Sequence, residues 1–369
     1  MKKSIRTRLL AATLAAAFVG ALLPRAFADD TIEALKGQDA LALSADTLQA
    51  PAAAQAAISS RDRSARKAPA AKGYTLLTEP DSGKGQILSL INGAQSSIDL
   101  TIYEIEDPEI VSALTTAAQR GVNVRVLFNY YSFLHYGHDP NAPFIEKLKA
   151  GGVNTKPASK DFLITHQKTF AIDDHVAVIM TFNLNPNYFK GTRDFGVITG
   201  DGGQVAEIVK VFEADWAGKP VSVSQSALVW SPDNSRSKTL EVINSANRTL
   251  DVYNEETSDQ QSMQALIAAA KRGVNVRFIT AVLKDYNNPG HDANADERAV
   301  LNAGGVHAKG MIPPYIHAKM ILADGSRVFF GSENFSSASL DRNRELGIIL
   351  DDSAVVSSME KTFDSDWSK

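Results

Sequence analysis

The second half of this chain repeats the residue order of the first half. ALTTAAQRGVNVRVLF matches ALIAAAKRGVNVRFIT, which places Gly121 on Gly273, a shift of 152 residues. Farther along, His166 falls on His317, a shift of 151. Two copies of one unit of about 150 residues can pack about a pseudo-twofold axis and so bring equivalent side chains together. The repeat therefore predicts two domains of one fold with a shared interface.

The full chain of 369 residues divides into five predicted segments. They are a signal peptide at 1–28, an Ala-rich linker at 29–72, a first repeat at 73–218, a connector at 219–229 and a second repeat at 230–369. The first segment has a basic start, an apolar run too short for a comfortable membrane span, and a small-residue cleavage site ending at Ala28. It predicts export, to the periplasm or outside the cell. The sequence shows no other stretch apolar and long enough to cross a bilayer.

Two features of composition exclude classes of chemistry. The chain has no cysteine, so disulfides, thiolate nucleophiles and cysteine-bound zinc are excluded. Cleavage of the signal peptide removes five basic residues and no acid, which leaves 33 basic against 42 acidic residues and a net charge of −9. Because unspecific binding of polyanions relies on charge neutralisation, this balance disfavours a general nucleic-acid binder.

Each repeat alternates helical and strand periodicity. Residues 87–94 predict a helix, and 98–102 alternate as in a strand. Residues 113–120 predict a second helix closed by Gly121, followed by a second strand over 122–126. Such alternation is typical of a sheet covered by helices on its faces. The predicted fold class is α/β, with two tandem α-β-α sandwich repeats packed about a pseudo-twofold axis.

A histidine and a lysine two residues apart recur in each repeat, within apolar strand-like stretches. A hairpin turn at Asp324-Gly325 sets His317 opposite Ser332, and residues two apart on a strand share a face. One side of this hairpin then carries His317, Lys319, Ser332 and Asn334. The hairpin of the first repeat, turned at Asp173-Asp174, carries His166, Lys168, Thr181 and Asn183.

These two sets are clusters of hydrogen-bond donors. Ammonium groups only donate, amides and hydroxyls can donate, and imidazoles do either. Brought together by the twofold, they suit a phosphate or phosphodiester, whose oxygens need charge-assisted donors. One imidazole can attack phosphorus while the other protonates the leaving oxygen. Because the repeat is nearly symmetric, the residues alone leave open which histidine attacks.

An acid follows each histidine by 28 residues. Asp194 follows His166 and Glu345 follows His317, in the matching segments RDFGVI and RELGII. A carboxylate that accepts an imidazole N–H fixes the tautomer and stabilises the cation. We expect each histidine to use the acid of its own repeat.

A metal site is the rival interpretation of clustered histidines and acids. A charged lysine has no lone pair to offer a metal, and neither motif has a second histidine at ligand spacing. We therefore expect neither a metal nor another cofactor.

The paired motifs resemble the signature of the phospholipase D superfamily. The pattern is His166-x-Lys168-x4-Asp173 and His317-x-Lys319-x4-Asp324, the second followed by Gly331-Ser332-x-Asn334. The resemblance implies a bilobed α-β-α sandwich and a metal-independent phosphodiesterase or phosphatidyltransferase with a phosphohistidine intermediate. It also implies that His166 attacks and that His317 protonates the leaving alcohol. The implied phosphate contacts are Lys168, Lys319, Asn183 and Asn334.

The first repeat departs from the family pattern at one point. Met180-Thr181 stands where Gly-Ser is preferred. We expect Thr181, like Ser332, to contribute a hydroxyl to phosphate, and Met180 to narrow that side of the pocket. Asp173 and Asp324 belong to the motif, but as turn residues they are predicted to be structural.

Substrate choice depends on weaker features. An aromatic segment offers candidate contacts to a lipid interface or to stacked bases: Tyr130, Tyr131, Phe133 and Tyr136. The leading prediction is an exported, monomeric phospholipase D that hydrolyses head groups of glycerophospholipids at a membrane or micelle surface, with or without transfer to alcohols. A nuclease of the same superfamily is second. A phosphatidyltransferase of cardiolipin-synthase type is third, because nothing anchors the mature chain to a membrane. A catalytically inactive binding protein is disfavoured because both His/Lys/Asn sets are intact.

Overall fold

The computed structural model describes residues 73–130, 139–284, 288 and 290–369. The predicted signal peptide and linker lie outside these ranges, and so do Tyr131, Phe133 and Tyr136. No helix within the described ranges is long and apolar enough to cross a membrane.

The described part of the first repeat contains seven strands and five helices. The strands are β1 (Tyr74–Glu79), β2 (Ser97–Ile102), β3 (Asn123–Phe128), β4 (Asn154–Pro157), β5 (Thr169–Ile172), β6 (Val176–Met180) and β7 (Thr192–Thr199). The helices are α1 (Gly85–Gly93), α2 (Pro108–Gln119), α3 (Ala142–Ala150), α4 (Tyr188–Gly191) and α5 (Gly202–Ala217).

The second repeat follows the same plan with one added strand. Its strands are β8 (Leu228–Ser231), β9 (Thr249–Asn254), β10 (Asn275–Ala281), β11 (His307–Met311), β12 (Tyr315–Ile316), β13 (Met320–Ala323), β14 (Arg327–Gly331) and β15 (Glu345–Leu350). Its helices are α6 (Ser235–Ser245), α7 (Gln260–Lys271), α8 (Ala295–Ala303), α9 (Ser337–Asp341) and α10 (Ser353–Trp367). Strand β8 begins two residues before the predicted start of this repeat.

The two sheets have the same strand order. The first runs β1-β7-β6-β5-β2-β3-β4 and the second, from the matching edge, β8-β15-β14-β13-β9-β10-β11. In each sheet the last three strands are parallel and the other neighbours are antiparallel. This equivalence confirms the predicted α/β architecture of two tandem repeats.

Equivalent helices begin and end on equivalent residues. The carboxylates of Asp107 and Asp259 accept backbone N–H groups in the first turns of α2 and α7, as N-cap residues do. After the same helices, Gly121 and Gly273 have φ angles of 94° and 93°, which favour glycine because it lacks a Cβ. The local sequence therefore sets both ends of these helices.

The predicted hairpin turns exist, but the ladders beyond them are offset by one residue. Asp324 and Gly325 both have positive φ, and the N–H of Ser326 donates to the carbonyl of Ala323 at 3.0 Å. Ala323 nevertheless pairs with Arg327 in the β13–β14 ladder. The β5–β6 hairpin has the same offset.

The offset makes wrong the expectation that His317 faces Ser332 across one hairpin. The N–H of Gly331 donates to the carbonyl of Lys319 at 3.2 Å, and β13 begins only at Met320. The N–H of Ser332 donates instead to Leu346 of β15 at 3.2 Å. The histidine therefore lies outside the hairpin ladder, and something else must hold it.

The backbone of each motif histidine is held by the other repeat. Strand β12 pairs in parallel with β7, and the N–H groups of His317 and the next residue donate to the carbonyl of Arg193 at 3.2 and 2.8 Å. In the first repeat, the N–H groups of His166 and the next residue donate to the carbonyl of Arg344 at 2.9 and 3.1 Å. Arg193 and Arg344 directly precede the two predicted acids.

A single apolar core joins the repeats behind these contacts. Phe195 of β7 lies against Tyr253 of β9, with ring centroids 6.0 Å apart, and Tyr253 meets Phe363 of α10 edge to face at 4.8 Å. All three side chains belong to one buried cluster that draws on both sheets. Because this burial is apolar and close-packed, it fixes the two acid-bearing strands relative to each other.

Candidate active site

The first motif histidine contacts a carboxylate of the second repeat. His166 is buried, and its Nδ1 lies 2.8 Å from Oε2 of Glu345 and 3.1 Å from the carbonyl of Ser332. A carboxylate that accepts the N–H of Nδ1 fixes the hydrogen on that nitrogen, which leaves Nε2 as the ring atom for chemistry.

The second motif histidine shows the mirror arrangement. Its Nδ1 lies 2.8 Å from Oδ1 of Asp194, and both His317 and Asp194 have 0% exposure. Each acid therefore serves the histidine of the other repeat. The expected pairing within a repeat is wrong, because the backbone bonds of Arg193 and Arg344 set each acid strand beside the opposite histidine.

Both acids are held by short polar contacts. Asp194 accepts the hydroxyls of Thr181 at 2.5 Å and Thr192 at 2.6 Å. Glu345 accepts the amide of Asn343 at 2.9 Å and the hydroxyl of Ser339. Such contacts restrict the carboxylate to one orientation, which in turn orients the imidazole.

Both motif hydroxyls form hydrogen bonds within the protein. Thr181 also accepts the N–H of Phe195 at 2.9 Å, and the hydroxyl of Ser332 accepts the N–H of Leu346 at 3.2 Å. Thr181 donates its hydroxyl hydrogen to Asp194, whereas Ser332 only accepts in this contact, and the role of the two hydroxyls as phosphate contacts stays a prediction. Met180 packs in the apolar core of the first repeat rather than narrowing the pocket.

Both motif lysines are buried beside their histidines. Lys168 Nζ donates to the carbonyl of His166 at 2.8 Å, and Lys319 Nζ donates to the carbonyl of His317 at 2.6 Å. Lys319 also pairs with Glu255 at 2.8 Å. Buried ammonium groups fixed in this way can serve a phosphoryl group without reorganising.

The motif asparagines are buried, as the motif lysines are. Asn183 donates to the hydroxyl of Tyr188 at 3.1 Å, and Asn334 accepts the N–H of Glu256 at 3.4 Å. Their exposed fractions are 0% and 7%. Together with the lysines, they remain the predicted phosphoryl contacts.

Charge partners shift the pKa values of this cluster. Burial raises the pKa of Glu345, but His166 and Lys168 outweigh it, so the pKa lies below the usual value. Burial lowers the pKa of His317, but the carboxylates of Asp194 and Glu255 outweigh it, so the pKa lies above 6.5. These directions favour a carboxylate anion at Glu345 and an imidazolium at His317.

The sequence analysis missed a buried acid at Glu333. Neither carboxylate oxygen has a hydrogen-bond partner from another of the described residues, and burial, with Glu345 next, raises its pKa well above the usual value. A Cβ at Gly331 would lie 2.3 Å from Oε2 of Glu333, so the motif glycine makes room for this side chain. The repeat offered a signal, because Phe182 stands at the equivalent position.

Two tyrosines that the sequence analysis also missed pack on the histidines. The ring of Tyr103 meets His166 edge to face at 4.8 Å, and the ring of Tyr188 meets His317 at 4.7 Å. Both tyrosines come from the first repeat, at positions that are not equivalent. The repeat alignment therefore did not reveal them as a pair.

The motif aspartates do not contact the histidines. Asp173 accepts backbone N–H groups of residues 95–97, and Asp324 accepts those of residues 247–249. Each carboxylate ties its hairpin turn to the start of the neighbouring antiparallel strand, β2 in the first repeat and β9 in the second.

The predicted substrate loop is described at one residue. Tyr130 is 42% exposed, and Lys160 Nζ lies 4.2 Å from its ring centroid. Tyr131, Phe133 and Tyr136 lie outside the described residues. In the described ranges, no three His, Cys, Asp or Glu side chains are grouped to hold a metal ion.

Comparison with known proteins decides the family. The family model described as cardiolipin synthase, PLD-like domain, matches residues 87–216 and again 239–367. The chain belongs to this family. The two matches fall in the two repeats, and they confirm the phospholipase D resemblance that the paired motifs carry.

Named relatives are similar over most of the chain. A cardiolipin synthase of Clostridium perfringens (strain 13) is 26% identical over 329 residues, covering 76% of this chain and 67% of the relative. Cardiolipin synthase A of Escherichia coli O157:H7 is 23% identical over 322 residues, covering 75% and 65%. The chain thus spans about two thirds of the length of these relatives.

Solved structures agree in fold. Phosphatidylserine synthase of Haemophilus influenzae superposes with a TM-score of 0.62 at 13% identity, covering 78% of this chain and 84% of that one. Polyphosphate kinase of Porphyromonas gingivalis gives a TM-score of 0.61 at 17% identity, covering 79% and 50%. At these identities the likeness establishes the fold alone.

Proposed function

We propose that this protein is a phosphatidyltransferase of cardiolipin-synthase type, which moves the phosphatidyl group of a glycerophospholipid to an alcohol through a phosphohistidine. The observation that carries the proposal is the pair of buried histidines, each bonded through Nδ1 to an acid of the other repeat. The names of the relatives favour transfer over the hydrolysis that the sequence analysis ranked first.

In the first step, Nε2 of His166 attacks phosphorus and the bond from phosphorus to the head-group oxygen breaks. His317 gives its Nε2 proton to that oxygen, so a neutral alcohol leaves. Glu345 keeps the proton of His166 on Nδ1 and stabilises the positive ring that forms. In this proposal the two motif lysines and the two motif asparagines donate to the phosphoryl oxygens.

In the second step, the acceptor alcohol gives its proton to His317 and its oxygen attacks phosphorus. The phosphorus–nitrogen bond breaks, and His166 is regenerated. Water in place of the alcohol would give phosphatidic acid, which is the hydrolase reaction.

The first test supplies vesicles of phosphatidylglycerol to the purified protein in EDTA and measures cardiolipin and glycerol. We expect both products from the wild type and neither from His166→Ala or His317→Ala. Phosphatidic acid without cardiolipin would show that the protein is a hydrolase rather than a transferase. Cleavage of single-stranded DNA with intact lipid would make it a nuclease.

Export of the chain after residue 28 is a further part of the proposal, supported by the composition of the leader alone. N-terminal sequencing of the protein from its native cells tests it. A first residue of Asp29 is expected, and an intact N-terminus would contradict export by cleavage.

A further inference from the structure

The two repeats differ at one position beside the histidines. Strands β2 and β9 are equivalent, so the residue after the first strand, Tyr103, corresponds to the residue after Asn254, which is Glu255. Tyr103 presents an aromatic ring to His166. The same place beside His317 holds a carboxylate, so the pseudo-twofold is broken at the atoms that would react.

Glu255 is fixed within reach of the reactive nitrogen of His317. The side chain is 1% exposed, and Oε2 lies 2.8 Å from Lys319 Nζ and 3.6 Å from Nε2 of His317. Its other oxygen accepts the hydroxyl of Tyr315 at 2.7 Å. A distance of 3.6 Å is too long for a hydrogen bond, but at low local dielectric an ion pair at this distance is strong.

The groups around His317 come from several elements. Asp194 of β7 meets Nδ1, Glu255 lies beside Nε2, and Lys319 adds one positive charge that Glu255 offsets. The ring of Tyr188 from α4 packs edge to face at 4.7 Å. Two carboxylates and one ammonium therefore surround the imidazole, and their sum favours its cation.

We propose that Glu255 is a positioning residue that holds a proton on Nε2 of His317 and so prepares His317 for the proton-donor role. The inference rests on the proposed two-histidine transfer, and it deepens that proposal by naming the residue that keeps the proton donor protonated. A proton donor must carry its proton before the bond to the leaving group breaks, whereas a nucleophile must present a lone pair. The carboxylate beside Nε2 of His317 favours the protonated state that a donor needs.

The first test compares leaving groups. Glycerol leaving from phosphatidylglycerol needs a proton, whereas p-nitrophenolate leaving from phosphatidyl-p-nitrophenol does not. We expect Glu255→Gln to lower kcat about 30-fold with phosphatidylglycerol and less than about threefold with the p-nitrophenyl substrate. Equal losses on both substrates would overturn the inference.

Glu333→Gln is the matched control, because Glu333 is an equally buried acid of the same repeat that lies over Gly331 rather than beside His317. We expect it to change the two rates by the same factor. If Glu333→Gln also lowers kcat far more with phosphatidylglycerol than with the p-nitrophenyl substrate, the effect belongs to the replacement of any buried acid near the site, and the inference fails.

The second test needs no turnover. Nitrogen-15 NMR of the imidazoles in the wild type should show His317 as the cation at neutral pH, and Glu255→Gln should lower its pKa by about one unit or more. An unmoved His317 would refute the role of Glu255 even if lipid transfer is active. If Glu255→Gln lowers the pKa of His317 but the wild type shows no lipid transfer, the inference holds and the proposed substrate is rejected.

If Glu255→Gln does not fold, as judged by its thermal melt, the wild-type spectrum decides alone. A neutral His317 beside a cationic His166 at neutral pH would reverse the assignment.

Discussion

Each motif histidine relies on a carboxylate far away in the chain. Glu345 lies 179 residues from His166, and Asp194 lies 123 residues from His317. The sequence alone identifies these four residues, because they recur at equal spacing. It cannot pair them, because a separation of 28 residues is the same in both repeats and says nothing about which strand ends beside which histidine.

The crossed pairing predicts a specific pattern of energetic coupling. In double-mutant cycles on the free energy of unfolding at pH 7, Glu345→Gln should couple to His166→Ala by about 1–2 kcal/mol, because the pair is in direct buried contact. The same substitution should couple to His317→Ala by less than about 0.5 kcal/mol. Stronger coupling to His317 would contradict the crossed arrangement.

The raised pKa of His317 predicts the pH at which kcat falls on the alkaline side of its pH profile. As the proton donor, His317 must be protonated, so kcat should fall as pH rises through its pKa, which lies above 6.5. Asp194→Asn removes a carboxylate that favours the cation, so this fall should move to lower pH. The matched variant, Glu345→Gln, acts on the other ring and should lower kcat without that shift. If only Glu345→Gln shifts the pH at which kcat falls, His166 is the proton donor and His317 is the nucleophile.

At the scale of elements, the hairpin turns show what local sequence can specify. The positive φ angles at Asp324 and Gly325 follow from the residues themselves, and the turn was predictable. The one-residue offset of the ladder was not, because Asp324 is drawn onto the N–H groups of residues 247–249, a tertiary contact 75 to 77 residues away. The alternation of apolar and polar residues along the strands does not indicate that contact.

Removing either turn carboxylate should lower the free energy of unfolding without lowering kcat. Asp173→Ala and Asp324→Ala each leave three backbone N–H groups without their carboxylate partner, at a cost of about 1–3 kcal/mol. Urea unfolding should show this loss, while kcat stays within about twofold of the wild type, because neither residue contacts the histidines. A large fall in kcat with unchanged stability would give these aspartates a catalytic role.

The end of β1 carries a second element-scale prediction. Burial raises the pKa of Glu79 to about 7, although its carboxylate accepts the N–H of Gly83 at 2.8 Å. The folded state therefore holds a proton that the unfolded state releases near pH 4.5. The resulting stability is present below pH 4.5 and is lost as pH rises through 7.

Glu79→Gln should therefore match the wild type at about pH 4 and exceed its unfolding free energy by up to about 3 kcal/mol at about pH 8.5. Urea titrations at the two pH values measure the difference. A variant that is less stable than the wild type at pH 8.5 would show that the ionised carboxylate is stabilising, opposite to this expectation.

At the scale of the whole molecule, the repeats form one site because each completes the other. The shifts of 151 and 152 residues predict the twofold relation, and the equal strand orders agree with it. The sequence did not reveal how the halves are tied together. Two equivalent ion pairs do this: Arg193 with Asp366 at 2.7 Å, and Arg344 with Asp215 at 2.9 Å. Each arginine also holds the opposite histidine segment through its carbonyl.

Breaking one of these ties should affect stability and chemistry together. Arg193→Gln leaves Asp366 with the ammonium of Lys369 and the hydroxyl of Tyr253 but without its guanidinium, so the loss should be at most about 3–5 kcal/mol. Because Arg193 precedes Asp194 and bonds the segment of His317, kcat should fall as well. Urea unfolding and phosphatidylglycerol turnover measure the two effects. The control is Arg327→Gln, whose pair with Asp351 is exposed and should contribute less than about 1 kcal/mol with no change in kcat. If Arg193→Gln behaves like this control, the repeats are joined by apolar packing alone, and the ion pairs do not position the acids.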